Sequence, residues 1–255
     1  MMKTKIVTGV VIFALLSACG AEKTNETTEV EGMEAVEVLP DNSLSEEEKG
    51  EGWMLLFDGE STDGWRSYNG DSFPEGWIVE EGALKGLGKG GDIGGDIVFA
   101  PVEFSEFELI FEWKIGSGGN SGVFYHVVEG PDFKAPYYTG PEYQVIDQLG
   151  FPEPLEAWQS IGADYGMYDP DYEGVVKPAG EWNISKIISS EKGSSYWLNG
   201  KKTVEFIPYS EDWNARRNSG KWDDFPEYAK SKSGMISLQD HGSAVWFKNM
   251  KIRNL

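Results

Sequence analysis

The sequence predicts an all-β protein, a jelly-roll sandwich of two antiparallel sheets, and three observations predict it. From Phe107 to Ile115, apolar Phe107, Leu109, Phe111, Trp113 and Ile115 alternate with Glu108, Ile110, Glu112 and Lys114. Successive strand side chains point to opposite faces, so this is a half-buried strand of an antiparallel sheet. Tyr196-Trp197-Leu198, Asn199-Gly200 and Lys201 to Phe206 read as a hairpin, because Asn-Gly accepts the two positive φ values of a type I′ turn. No stretch carries a long helical period, and residues 53–255 have the length of one sandwich.

At the N-terminus, Lys3 and Lys5 precede an apolar run from Ile6 to Leu16, too short to span a bilayer, followed by Leu16-Ser17-Ala18-Cys19. Residues 1–18 therefore read as an export signal. Their end resembles a bacterial lipobox, which implies cleavage before Cys19 and lipid attached to it. The expected location is the cell envelope, on the periplasmic or surface side. Cys19 is the chain's single cysteine, so the mature protein has no disulfide and no thiol nucleophile. Residues 19–52 are rich in Glu and Thr and poor in large apolar groups, as expected of a flexible acidic tether. Within them, Ser45 to Glu48 has the capping-box spacing of one helical turn.

A formal charge of −21 disfavours nucleic acid and anionic surfaces as partners. Ten Trp and eleven Tyr offer flat faces on which sugar rings stack, although most aromatics of such a fold fill its core.

Along the chain, Trp53 to Phe57 is a short apolar strand closed by Asp58-Gly59, continued by Trp65 and Trp77-Ile78-Val79. A Gly-rich turn from Gly116 leads into a strand from Val123 to Val128, and Thr139-Gly140-Pro141 leads into another beginning at Glu142. Trp182 to Ser189 is a further strand, and Met235 to Gln239 and Val245 to Ile252 close the chain around Asp240-His241-Gly242-Ser243. Phe151 to Glu173 and Tyr209 to Lys232 are long, aromatic and Pro-punctuated connections, of the kind that serve as functional loops or lids.

Alternation places Glu142 and Gln144 on one strand face, against Tyr143, Val145 and Asp147 on the other. A carboxylate beside an amide can hold a polyhydroxylated ligand, or can simply face solvent. Two imidazoles are present. Alternation puts His126 on the face of Phe124 and Val128, which suits a packed residue. His241 stands in a Gly-flanked connection with Gln239, Asp240 and Trp246 near it, where a ring can reach a cleft. Asn120, after Gly118-Gly119, either donates to a ligand or satisfies its own turn.

Six segments in order, GWMLLFDGESTDGW, FELIFEWKIGSGGNSGVFYHV, TGPEYQVID, KPAGEWN, YWLNGKK and ISLQDHGSAVWFKNMKIR, resemble the 3-keto-disaccharide hydrolase domain family. The likeness runs over residues 53–255. It implies a concanavalin A-like lectin/glucanase jelly roll acting on glycosides whose sugar is already a ketone at C3. Such a ketone acidifies the hydrogen on C2. A base removes it, the enolate expels the aglycone from C1, and water adds.

In that chemistry His241 is the expected base, an imidazole being the side chain most readily part-neutral at pH 7. Glu142 is its expected partner, as acid, metal ligand or hydroxyl anchor, with Asn120, Gln144, Gln239 and Trp246 shaping the sugar site. The sequence requires no cofactor, and a divalent cation acting as a Lewis acid on the ketone oxygen is compatible with it. Glucanases of this fold carry their acids in an E-x-D-x-x-E arrangement, whereas this chain has EYQVID, with Gln144 where the second acid would stand. A glycosidase needs two carboxylates flanking one bond, which argues against hydrolysis of unmodified glucans. The alternative is a non-catalytic carbohydrate-binding surface module.

Overall fold

Phe107 to Ile115 forms a strand in which every second side chain is buried, the face that the alternation selects. The computed structural model describes residues 39–89 and 95–255. Cys19, the signal and most of the expected tether lie outside the described residues.

Among the described residues the strands are β1 (Met54–Leu55), β2 (Trp65–Ser67), β3 (Trp77–Glu80), β4 (Ala83–Leu87), β5 (Ile97–Phe104), β6 (Phe107–Ile115), β7 (Asn120–Val127), β8 (Glu142–Ile146), β9 (Asn183–Ser189), β10 (Ser194–Leu198), β11 (Lys201–Phe206), β12 (Gly234–Leu238) and β13 (Ala244–Asn254). They make two antiparallel sheets of a jelly-roll sandwich. One has the order β11-β10-β9-β6-β13-β4-β3, with β1 also paired to β13; the other has the order β2-β5-β12-β7-β8. The Asn199-Gly200 turn joins β10 and β11 with Leu198 opposite Lys201, and both turn residues have positive φ.

The core lies between the sheets and is bound across them by polar as well as apolar contacts. Tyr143 of β8 reaches Ser185 of β9 at 2.8 Å, and Ser185 also accepts from the Trp113 indole at 2.8 Å. Phe111 meets Tyr143 edge to face at 5.4 Å.

Four features depart from the sequence expectation. Packing begins at Leu39 rather than at Trp53. There Asn42 is buried and donates to Gly82 O at 2.8 Å, while helix α1 (Glu46–Gly50), with the expected capping box, ion-pairs through Glu48 with Lys251. The apolar run Trp53 to Phe57 yields only β1, because Leu56 and Phe57 turn into the core and Leu56 O accepts from the Trp65 indole. Strand β5, behind the glycine-rich stretch, has no counterpart in the sequence reading.

The fourth departure is a β-bulge at His126, whose φ is +54°, opposite the register shift between Met235 and Ser237. The extra residue flips the alternation. Phe124 and Val127 therefore share the outer face with Val98 and Met235, and His126 leaves the face expected for it. Its Nε2 lies 2.7 Å from Ser105 O, and burial pushes its pKa down to about 4.

The two long connections are anchored rather than loose. Residues 162–165 lie along the free edge of β8. Gly162 donates to Gln144 O at 3.0 Å, Gln144 N donates to Ala163 O at 3.1 Å, and Tyr165 donates to Glu142 O at 3.0 Å. This covers backbone groups that an edge strand would otherwise leave unpaired. The second connection holds helix α2 (Glu211–Arg217), capped by Ser210, and a 3-10 turn from Gly220 to Asp224. Trp213, Trp222 and Tyr228 bury it, with Trp222 stacked on Tyr228 at a centroid distance of 3.5 Å.

Candidate active site

The outer face of the five-stranded sheet carries a cavity of about 210 Å³ whose floor is organised around Gly122 of β7. Gly122 pairs with Gln144 on β8, and Gln239, just beyond β12, donates to Gly122 O at 3.0 Å. Asn120 is two residues along β7, hence on the same face. Glu142 leans back over the bare Cα: a β-carbon at Gly122 would overlap its Oε1 and stand 2.9 Å from its Cγ and Cδ. Four polar side chains from three strands thus surround one missing side chain.

The cavity is lined by Asn120, Glu142, Gln144, Gln239 and His241, five of the six sugar-site residues that the sequence reading names. His241 is held by its neighbour. Asp240 donates from its backbone to Asp96 Oδ1 at 2.9 Å, while its carboxylate accepts from Gly242 N at 3.0 Å and Lys89 N at 3.1 Å. The Asp240–Gly242 turn is fixed at both ends.

Trp246 is placed elsewhere. On β13 of the other sheet, its indole donates to Glu80 at 3.1 Å and its ring lies between Lys85 and Lys114. Its separation from the others has a simple origin: the chain crosses between sheets after Gly242.

Tyr137, Tyr165, Lys221 and Phe225 complete the lining, and the sequence reading missed them. Tyr165, Lys221 and Phe225 come from the two long connections and Tyr137 from the segment between β7 and β8, where no periodicity reveals which side chains face inward. For Tyr165, Lys221 and Phe225 the only signal was the length of those connections.

Burial dominates the electrostatics. The Glu142 carboxyl is pushed up to about 8 by desolvation, against the pull of the Lys221 charge and with a further push from Asp96. Lys221 is moved the opposite way, down, by desolvation. Asp96 is raised to about 7, also by burial. Asp164 is buried, and desolvation pushes its pKa well up, against a hydrogen bond with Tyr196 and with a further push from the Glu142 charge.

The oxygens Asn120 Oδ1, Gln144 Oε1 and Gln239 Oε1 are buried without a hydrogen-bond partner among the described residues. The Gln144 amide is oriented by its Nε2, which donates to Gln159 O at 3.0 Å. An unpaired buried acceptor costs about 1–3 kcal/mol, and three around one cavity call for a ligand rich in O–H donors. No three His, Cys, Asp or Glu converge to hold a metal among the described residues.

A sandwich with unpaired acceptors, a buried carboxyl of raised pKa and an imidazole on one sheet face suits a carbohydrate ligand, and similarity to known proteins supports a function of the glycoside-hydrolase type. Residues 52–253 match the profile of the 3-keto-alpha-glucoside-1,2-lyase-like domain, and the chain belongs to that family. It is 31% identical over 274 residues to the 3-keto-disaccharide hydrolase of Bacteroides thetaiotaomicron, covering 94% of each chain. Two crystal structures of candidate glycosyl hydrolases from Parabacteroides distasonis are also similar. One has 47% identity and a TM-score of 0.79, over 85% of this chain and all of the other. The second has 27% identity and a TM-score of 0.61, over 80% of this chain and 99% of the other.

Proposed function

We propose that this protein cleaves glycosides whose sugar has been oxidised to a ketone at C3, by removal of the C2 proton, elimination of the aglycone and hydration. The observation that carries the reading is the ring of orphaned acceptor oxygens around Glu142. Asn120, Gln144 and Gln239 accept from sugar hydroxyls and hold the ring over Gly122. At pH 7 a carboxyl raised to about 8 is mostly protonated, so Glu142 is the group to donate a proton to the leaving oxygen. His241 is then the base at C2. Dividing acid and base between two groups of different environment is how one pocket serves both steps. The family and the named relative support a carbohydrate substrate of this oxidised class.

If a divalent cation takes part, the orphaned amide oxygens with Glu142 in its ionised form would hold it, in place of the acid role of Glu142, and such an ion would polarise the ketone. In the cell the mature protein is tethered to the envelope membrane through a lipid on Cys19.

The direct test is to incubate the protein with a 3-keto-glucoside and with the parent glucoside and to follow aglycone release. Release from the first alone is expected. Equal rates on both would sink the proposal, and sugar binding without turnover of either would point to a binding module.

A further inference from the structure

Lys221 is the one lysine or arginine lining the cavity among the described residues. It stands next to Trp222, which is fully buried and stacked on Tyr228. The backbone that carries it is therefore anchored to the core, although the residue itself is exposed. Its ammonium turns inward over the Tyr165 ring at 4.1 Å, with Trp222 at 4.9 Å and Tyr137 at 5.6 Å. Ring faces attract a cation without consuming its N–H groups. No hydrogen bond or ion pair to another described residue engages those donors. A cation held by aromatic faces, with its donors free, at a cavity whose other polar groups are mainly acceptors, is suited to an anionic oxygen.

We propose that Lys221 is a further catalytic residue, donating to the C3 oxygen of the bound keto sugar and taking up the negative charge that forms there as the C2 proton leaves. This rests on the 3-keto-glycoside reading above. The C2–H electron pair becomes the C2=C3 bond, and the carbonyl pair moves onto oxygen, where the Lys221 N–H groups meet it. When that pair returns, the C1–O bond breaks and the leaving oxygen takes the Glu142 proton. Water then adds at C1 and a proton returns to C2. A donor aimed at developing charge in a partly desolvated site is worth roughly 10²–10³ in turnover.

The experiment compares the full-length protein with Lys221→Met and Lys221→Arg, reading deuterium uptake at C2 of a 3-keto-glucoside, kcat and KM. Lys221→Met is expected to lower exchange and kcat together by about 10²–10³-fold with KM little changed, and Lys221→Arg to recover part of the loss. The charged neighbours acting on Glu142 are Lys221, which lowers its pKa, and Asp96, which raises it. Removing Lys221 should therefore move the alkaline limb of the pH–rate profile to higher pH whatever its role, whereas loss of C2 exchange measured at each variant's own pH optimum, which a lysine acting only through Glu142 would not cause, reads its donation to the C3 oxygen. Wild-type exchange in Lys221→Met would overturn the inference, as would a borohydride-trapped adduct on Lys221, which would make the chemistry covalent. A wild-type protein inactive on 3-keto-glucosides defeats the functional reading and this inference with it. An active wild type with an undiminished Lys221→Met defeats the inference alone.

Discussion

Glu142 lies across the bare Cα of Gly122, on the neighbouring strand, so closely that no β-carbon fits between them. The carboxyl owes its position and its burial to that missing side chain. Gly122 has no positive φ, so the glycine is there for space rather than for backbone freedom.

Gly122→Ala should therefore displace Glu142 without unravelling β7. Overpacking of this kind costs about 1–3 kcal/mol, so the protein should remain folded at 25 °C. Turnover should fall by about 10²-fold or more, the lower range for loss of positioned acid help. Thermal unfolding and kcat measured on one preparation check this. Wild-type kcat in Gly122→Ala would mean that the position of Glu142 is irrelevant.

The acid and base assignments separate in a pair of variants. His241→Ala should lose about 10²–10⁴-fold in C2 exchange. Glu142→Gln should retain more exchange than turnover, since it lacks the acid needed at the later step. Wild-type turnover should decline as pH rises through about 8, where Glu142 gives up its proton. If Glu142→Gln abolishes exchange and His241→Ala does not, the two roles are reversed.

His126 provides a stability prediction independent of the site. Its folded pKa, about 4, lies below the ordinary value of 6.5, so between those values the unfolded chain binds the extra proton. The contribution is complete above pH 6.5 and is lost as pH falls through 4, worth roughly 3 kcal/mol. His126→Asn, which tolerates the positive φ, should flatten the stability profile over that window. An unchanged profile would assign the acid sensitivity to other groups.

Cys19→Ser should release the exported protein from the membrane fraction. Recovery of the variant with membranes as fully as wild type would remove the basis for a lipid anchor.

The sequence by itself determined what is local and periodic. Alternation selected the buried face of β6, Asn199-Gly200 placed the hairpin, and the two-residue period put Glu142 and Gln144 together, because side-chain direction along a strand is fixed by backbone geometry. Although the strand begins at Asn120 and not at Val123 as the sequence suggests, Asn120 and the turn Asp240-His241-Gly242 were legible as polar groups beside glycines. Their convergence was not, since it depends on β12 pairing with β7 and β7 with β8, across long sequence separations. Trp246, five residues after His241, shows the limit: nearness in sequence suggested nearness in space, and a crossing between sheets undid it. The bulge at His126 reversed a face for the same reason, because an inserted residue is defined only by the strand opposite. Lys221 and Tyr165 reach the cavity because Trp222 buries one connection and β8 pairs with the other. Only tertiary structure decided that, since the packing partners that aim those side chains come from distant parts of the chain.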